Sequence, residues 1–592
     1  MTSLCVGFYR LPALRTVGWV ASFALWVGIG RPSPSLGDDP SDVPQVAKFV
    51  DPARDDWQSE VQADQAKHRL SELADSLIKD HTLTDEAAGA FFAPGCSIGS
   101  LRPSSLKEAI IGDWRVCRPA DTSKKLRPPA IAFDDFLRPH HEGQGLRMEM
   151  KIVGVEAGKE GSFTTTVMVH TFSHTAQRRL QQNARWHVEW RKGDREDRPV
   201  IAGISSVDFS EIVVPKAAFT DCTRAVITRD ETWSPILSHG CDYWYGRIDA
   251  VGETNFMGHQ GIAVGDVNGD DLDDLYIAMG TGLPNKLLVQ QPDGTVQETS
   301  AQAAVDWLDD TKGVLLIDFD NDGDQDLVSA MGPSILFSIN DGRGRFTPAG
   351  AARASTNGAF FSLAAADYDL DGDLDIYGCR YVEVQYGVSI PVPFEDANNG
   401  PPNILLRNDG PRGFADITLS SGIDQNNRRF STAAAWADYD DDGDPDLYVS
   451  NDFGRNNLYR NDGGRFVDVA AEAGVDDQAA GMGVSWSDYD RDGDLDLYVS
   501  NMYSGAGNRI AYQPRFHEKA APSTLQGIQR HTRGNTLLIN QGNGRFKTAS
   551  DGAGAAMGRW AWGAKFVDIN NDGWDDIVCP NGFLTGPRPD DL

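Results

Sequence analysis

Six times between residues 266 and 577 the chain sets acidic or amide side chains at alternate positions of a nine-residue run. The runs begin at Asp266 (DVNGDDLDDL), Asp318 (DFDNDGDQDL), Asp367 (DYDLDGDLDI), Asp438 (DYDDDGDPDL), Asp488 (DYDRDGDLDL) and Asp568 (DINNDGWDDI). Side-chain oxygens at positions 1, 3 and 5 converge as the chain curls, position 7 offers a carbonyl, and position 9 returns a carboxylate. Calcium, a hard ion, takes six to eight oxygens at about 2.3–2.6 Å, whereas magnesium keeps water and resists an all-protein cage. The expected ligands are Asp266, Asn268, Asp270, Leu272 (carbonyl) and Asp274 in the first loop, and Asp318, Asp320, Asp322, Asp324 (carbonyl) and Asp326 in the second. The third offers Asp367, Asp369, Asp371, Asp373 (carbonyl) and Asp375; the fourth Asp438, Asp440, Asp442, Asp444 (carbonyl) and Asp446. The fifth offers Asp488, Asp490, Asp492, Asp494 (carbonyl) and Asp496, and the sixth Asp568, Asn570, Asp572, Trp574 (carbonyl) and Asp576. Without a cation, carboxylates so close repel one another. Solvated acidic turns would not recur six times at one place in a repeat, so up to six calcium ions are expected. Position 6 is Gly except at Asp271, where a more strained turn is expected. Pro445 at position 8 of the fourth loop removes a backbone donor but no ligand.

The flanks say what holds these loops. An EF-hand needs an acidic ligand at position 12 and helices on both sides. Position 12 here is Ile277, Ser329, Gly378, Val449, Val499 or Cys579, and the flanks (GVLLIDFD before, DLVSA after) read as strands. Each loop is therefore a clip between two strands of a hairpin. A third strand and turn follow, as in SILFSINDG, NILLRNDG and NLYRNDGGRF, where Asn-Asp-Gly is a strong hairpin signal. A fourth short strand is expected in RGFADITLSSGI and GRFVDVAAEAGV. Loop starts are 52, 49, 71, 50 and 80 residues apart, and the long intervals hold insertions at 380–400 and 503–534. Four strands per unit of about 50 residues describe a propeller blade.

These units resemble the FG-GAP/VCBS repeats, the calcium-loop blades of integrin α-chain propellers. GMGVSWSDYDRDGDLDLYVSN and NLYRNDGGRFVDVAAEAGV look like the group related to cartilage acidic protein. The resemblance implies a mainly β propeller of six to seven four-stranded blades over 215–592, with calcium in the first hairpin of several blades. The C-terminal ASPIC/UnbV module that many of that group carry is not expected before Leu592. AAFTDCTRAV (217–226) looks like a fourth strand that joins the last blade, and residues 218–250 are a candidate degenerate blade.

The first part of the chain has another grammar. Arg10 and Arg15 precede an apolar run, Val17 to Gly30, too short for a comfortable membrane span. With a Pro/Ser stretch after it, this is the order of a secretory signal, taken as residues 1–37, and 38–54 reads as a linker. Secretion, to a periplasm, a cell surface or beyond, is expected, with no membrane span left after cleavage. Residues 55–213 read as an α+β domain. One amphipathic helix carries Trp57, Val61, Leu70, Leu73 and Leu77, and four strands (RMEMKIVGV, SFTTTVMVHTF, ARWHVEW, VIAGISSVDF) form an antiparallel sheet. This pattern distantly resembles nuclear transport factor 2 relatives. His140-His141-Glu142 reads as a polar turn rather than a metal site. Cys96–Cys117 and Cys222–Cys241 are the disulfides expected of an exported chain, with Cys379 and Cys579 as buried thiols.

A net charge of −32 repels nucleic acid and attracts cations. The sequence contains no H-E-x-x-H. A binding or adhesion module for an extracellular protein or glycan is the leading reading. An extracellular hydrolase or lyase on the same frame and a structural envelope protein are the alternatives. Tyr381, Tyr386, Phe394, Tyr503, Tyr512, Arg515, Phe516 and His517 in the insertions suit an interface or, equally, packing at the ring's centre.

Overall fold

Strands of alternating burial and turns rich in glycine give this chain two compact units. They are residues 1–217 with 508–513, and residues 218–507 with 514–592. The computed structural model describes residues 57–582, apart from 121–124, 160, 196, 218, most of 228–260, 355–357 and 382–390. The signal and linker expected over 1–54, Cys241, Tyr386 and most of the candidate degenerate blade lie outside the described residues. Among the described residues no helix is long and apolar enough to cross a membrane.

In the first unit a helix, α1 (Gln58–Asp80), buries Ala63, Ala66, Leu70, Leu73 and Leu77 on one stripe and ends at His81 in left-handed geometry. The sheet has six strands, not four: β1 (Leu106–Ile111), β2 (Trp114–Pro119), β3 (Gln144–Ala157), β4 (Phe163–His174), β5 (Arg179–Arg191) and β6 (Val200–Val214), in the order β1-β2-β6-β5-β4-β3. β4 alternates buried and half-buried side chains along its whole length, the pattern that makes a half-buried strand legible. β1 is exposed at five of six positions, so it lacks that pattern, and its hairpin turn at Gly112 (φ 52) went unread. Two further helices, Asp85–Phe91 and Pro129–Leu137, complete the core, where Phe133 and Phe136 meet Trp186 edge-on. Cys96 and Cys117 are both free: the Cys96 thiol donates to the Ala202 carbonyl, and Cys117 is buried on β2. The expected pairing is not made. Cys222 is free as well, and Cys379 is a buried thiol.

Among the described residues the second unit holds five four-stranded antiparallel sheets in sequence order, over 262–298, 311–353, 359–416, 431–468 and 481–548. A sixth hairpin pairs Lys565–Val567 with Asp576–Val578. Each sheet's first strand packs on the first strand of the next, from Ile262–Gly265 through to Lys565–Val567. These are the blades of a propeller, numbered 1 to 6. The second strands are the driest: Asp446–Asn451 and Asp496–Asn501 are buried at every position. Apolar clusters lie between blades, not within them. Tyr377, Leu405, Leu447, Val449 and Tyr459 form one between blades 3 and 4, and Tyr448, Leu458, Val484, Leu497 and Leu538 form one between blades 4 and 5. At about 1.5–3 kcal/mol per fully buried large side chain, each seam contributes several kcal/mol.

The fourth strand is shorter than expected. In blades 3, 4 and 5 it spans three residues, then becomes a helical turn: Thr418–Ser421, Ala470–Ala473 and Ser550–Ala553, each followed by a left-handed Gly. Asp416 causes the change in blade 3, its carboxylate accepting from the Thr418 amide and hydroxyl. The described residues of 217–226 form no strand; Thr223–Val226 is a helical turn and Asp221 accepts from the Thr223 amide.

The insertions of blades 3 and 5 meet above blade 4, on the side opposite the acidic loops. Phe394 packs against Phe453 and His531, Gln478 donates to the Glu395 carbonyl, and Arg429 and Arg455 both pair with Asp396. Tyr381 is buried and donates to Asp452 at 2.6 Å. Tyr381 and Phe394 thus pack among the insertions and blade 4. Tyr512 is 52% exposed, and Phe516 sits edge-on to His517.

Candidate metal centres

Each acidic run bridges the first and second strands of its blade, and its fold follows from side chains that cap its own backbone. The position-1 carboxylate accepts from the amides of positions 5 and 6: Asp318 from Asp322 and Gly323, Asp438 from Asp442 and Gly443, Asp488 from Asp492 and Gly493. The position-5 carboxylate accepts from the amide of position 7, as Asp371 does from Asp373 at 3.0 Å. These local bonds coil the run so that alternate carboxylates face inward.

Two residues per loop are left-handed. Position 6 is one (Gly323 φ 97, Gly372 φ 96, Gly443 φ 94, Gly493 φ 99, Gly573 φ 84). Position 4 is the other, and sequence reasoning missed it: Asn321 φ 61, Leu370 φ 57, Asp441 φ 58, Arg491 φ 63 and Asn571 φ 57. The first loop swaps the order, with Gly269 (φ 74) at position 4 and Asp271 (φ 64) at position 6. Its expected extra strain is therefore corrected. Every loop holds one glycine and one side-chain-bearing residue in this region, and the first merely exchanges them. Pro445 keeps its carbonyl in place, where it accepts from the Asn461 side chain.

The position-9 carboxylates are the deepest. Asp274, Asp326, Asp375, Asp446 and Asp496 have no exposed surface. In blades 1 to 4 one oxygen accepts from the position-2 amide and the other from the last residue of the third strand, as Asp446 does from Tyr439 and Asn461. Burial, reinforced by neighbouring carboxylates and opposed by those amides, pushes Asp326 and Asp496 up to about 6, Asp375 to about 7 and Asp446 to about 8. Burial and then a neighbouring carboxylate also raise Asp369 and Asp440 at position 3. So many carboxyls held above their ordinary range mark a place where negative charge lacks a counter-charge.

In four loops three carboxylates bring ligand oxygens within 4.8 Å of one another: Asp318, Asp320 and Asp326; Asp367, Asp369 and Asp371; Asp438, Asp440 and Asp446; Asp488, Asp490 and Asp492. Among the described residues no other group of three His, Cys, Asp or Glu does so. The first and sixth loops, with Asn268 and Asn570 at position 3, form no such group; there Asn268 turns its amide to Asp270. A cation fits the four. Oδ1 of Asp369 and Oδ1 of Asp440 are buried oxygens with no hydrogen-bond donor, surroundings that suit a hard cation. His140 is no ligand; its ring nitrogens meet Ser173, Thr171 and Gln182 in the first unit's core.

A family model described as FG-GAP-like repeat matches residues 318–378, 438–499 and 528–579, and so takes in the second to sixth loops. The chain is 29% identical over 235 residues to cartilage acidic protein 1 of Xenopus tropicalis, covering 38% of this chain and 34% of that one. Identity to the mouse and human proteins is 26% over 205 residues, covering 34% of this chain and 30% and 29% of theirs. The chain thus spans about a third of the length of these relatives. Among solved structures, an Agrocybe aegerita lectin described as recognising non-reducing terminal N-acetylglucosamine aligns with 55% of this chain and 77% of its own, at TM-score 0.33 and 16% identity. A periplasmic gluconolactonase of Pseudomonas aeruginosa aligns with 54% of this chain and 94% of its own, at TM-score 0.21 and 10% identity. Likenesses at these scores carry nothing about ligand or activity.

Proposed function

We propose, on the premise that this chain is an FG-GAP-like repeat protein, that it is an exported, calcium-loaded propeller that binds an extracellular protein or glycan. The observation that carries the calcium reading is the set of close carboxylates with buried, donorless oxygens at Asp369 and Asp440. Calcium would be held at positions 1, 3, 5 and 9 and by the carbonyl at position 7, and would supply the missing positive charge. Its role is structural: it binds the folded loops and stabilises them by mass action. Relatives named for cartilage support an extracellular setting. The recognition role rests on the rigid frame and on the insertions of blades 3 and 5, which add non-repeating surface on one side.

Metal analysis of the desalted full chain tests the first half. Between four and six calcium ions per chain are expected, four counting the loops with three close carboxylates and six counting all. One or none overturns it. Screening on glycan and extracellular-protein panels, with and without EGTA, tests the second half. Turnover of generic hydrolase substrates that one substitution outside the loops abolishes would replace binding by catalysis.

A further inference from the structure

The Asn-Asp-Gly signature that reads as a hairpin turn has a second use. Its asparagine is the last residue of the third strand: Asn340 in blade 2, Asn408 in blade 3 and Asn461 in blade 4, with Asn540 in the same place in blade 5. All four are buried. Each backbone amide donates at 2.8 Å to the position-9 carboxylate of its own blade: Asp326, Asp375, Asp446 and Asp496. Each side-chain amide crosses the seam and donates, at 2.8–2.9 Å, to the position-2 carbonyl in the loop of the blade before: Val267, Phe319, Tyr368 and Tyr439. The position-2 amide in turn donates to that loop's own position-9 carboxylate, at 3.0–3.2 Å, from Val267 to Asp274, Phe319 to Asp326, Tyr368 to Asp375 and Tyr439 to Asp446.

The bonds therefore join end to end. From Asp274 the circuit runs through Val267 to Asn340 and Asp326, on through Phe319 and Asn408 to Asp375, through Tyr368 and Asn461 to Asp446, and through Tyr439 and Asn540 to Asp496. Five acidic loops share one hydrogen-bonded line, passing in every blade through the deepest ligand. The asparagine's oxygen accepts from turn amides, Gly344, Gly410, Gly464 and Gly542, so the amide's orientation is fixed. Only an amide of this size gives two donors and an acceptor there: aspartate has the shape without the donors, leucine the bulk without either.

We infer that these third-strand asparagines are positioning residues that couple each metal loop to the next, so that calcium uptake along the blades is cooperative. The inference rests on the calcium reading above. Ordering one loop fixes its position-2 peptide; through the asparagine this fixes the end of the next blade's third strand and the amide that orients the next position-9 carboxylate. A neighbour already ordered lowers the cost of ordering the next, which is a coupling free energy between sites. Blade 1 has Gln290 at this place, and its backbone amide still donates to Asp274.

The test is a titration of the calcium-stripped full chain, followed by calorimetry with calcium and by terbium luminescence sensitised through Tyr368, Tyr439 and Tyr489, all at position 2. The variants are Asn461→Asp and, as control, Asp462→Ala, which alters the same turn and its Arg460 pair but lies off the circuit. The wild-type isotherm is expected to be sigmoidal, with a Hill coefficient of about 2 or more. Asn461→Asp is expected to bring it towards 1 and weaken binding about tenfold, within the usual range of coupling energies, while Asp462→Ala keeps the wild-type steepness. If near-ultraviolet circular dichroism shows Asn461→Asp unfolded without metal, Asn340→Asp at the first seam is read instead. A wild-type isotherm of independent sites, or unchanged steepness in the variant, overturns the coupling alone. A chain that binds no calcium overturns the metal reading and the coupling with it.

Discussion

Asn321 of the second loop donates its side-chain amide to Asp373 of the third at 2.7 Å. The first is position 4 of its loop and the second position 7 of the next. At the seam of blades 5 and 6 the same two places are Arg491 and Trp574, the guanidinium 3.9 Å over the indole. At these two seams position 4 is where one loop touches its successor, and its left-handed backbone, present in every loop, is a requirement of the turn.

Leu370 is the poorest occupant of that position: it is 60% exposed and has φ 57. A left-handed leucine costs about 1–2 kcal/mol, and asparagine much of that less. Leu370→Asn is expected to raise stability by about 1 kcal/mol, read as an upward shift of the urea midpoint at unchanged slope.

Chelation should destabilise the second unit. A site filled at calcium one hundred times its Kd adds about 2.7 kcal/mol. EGTA should therefore lower Tm by many degrees, and restored calcium should reverse the change. An unchanged melt by calorimetry would sink the structural role of the metal.

Asp446→Asn separates ligand from scaffold. In calcium, the loss of a buried ligand should remove one ion and about 3 kcal/mol, the linkage contribution of one well-filled site. In EGTA two effects oppose. A buried charge disappears, but one acceptor of the Tyr439 and Asn461 amides becomes a donor, so the change should stay within about 1 kcal/mol. Equal losses in both buffers would mean that Asp446 acts only as a strand clasp.

Acid should weaken the first unit through a histidine. Burial lowers His140 from about 6.5 to about 4. Between these values the unfolded chain binds the extra proton, so stability is fully present above pH 6.5 and falls as pH drops towards 4. The histidine contributes on the order of 3 kcal/mol of that loss. His140→Gln should flatten the pH dependence of the first unit's melt.

The loops and the repeat were legible because their signals are local: Asp at alternate positions, Gly at position 6 and strand runs on both sides. The left-handed demand at position 4 was hidden because Asn321, Leu370, Asp441 and Arg491 share no chemistry. The seam-crossing role of Asn340, Asn408, Asn461 and Asn540 was hidden because their partners lie 73 to 101 residues earlier in the chain. In the first unit, β4 announced itself by alternation. β1 did not, since all its residues but Leu106 are exposed, leaving no alternation to read.

Phe394 and His531, brought together above blade 4, change how the ring comes apart. A repeat array held only by neighbour-to-neighbour seams frays one unit at a time from its ends. Tying an arm of blade 3 to an arm of blade 5 makes blades 3, 4 and 5 a single melting block, so that the loss of any one releases all three.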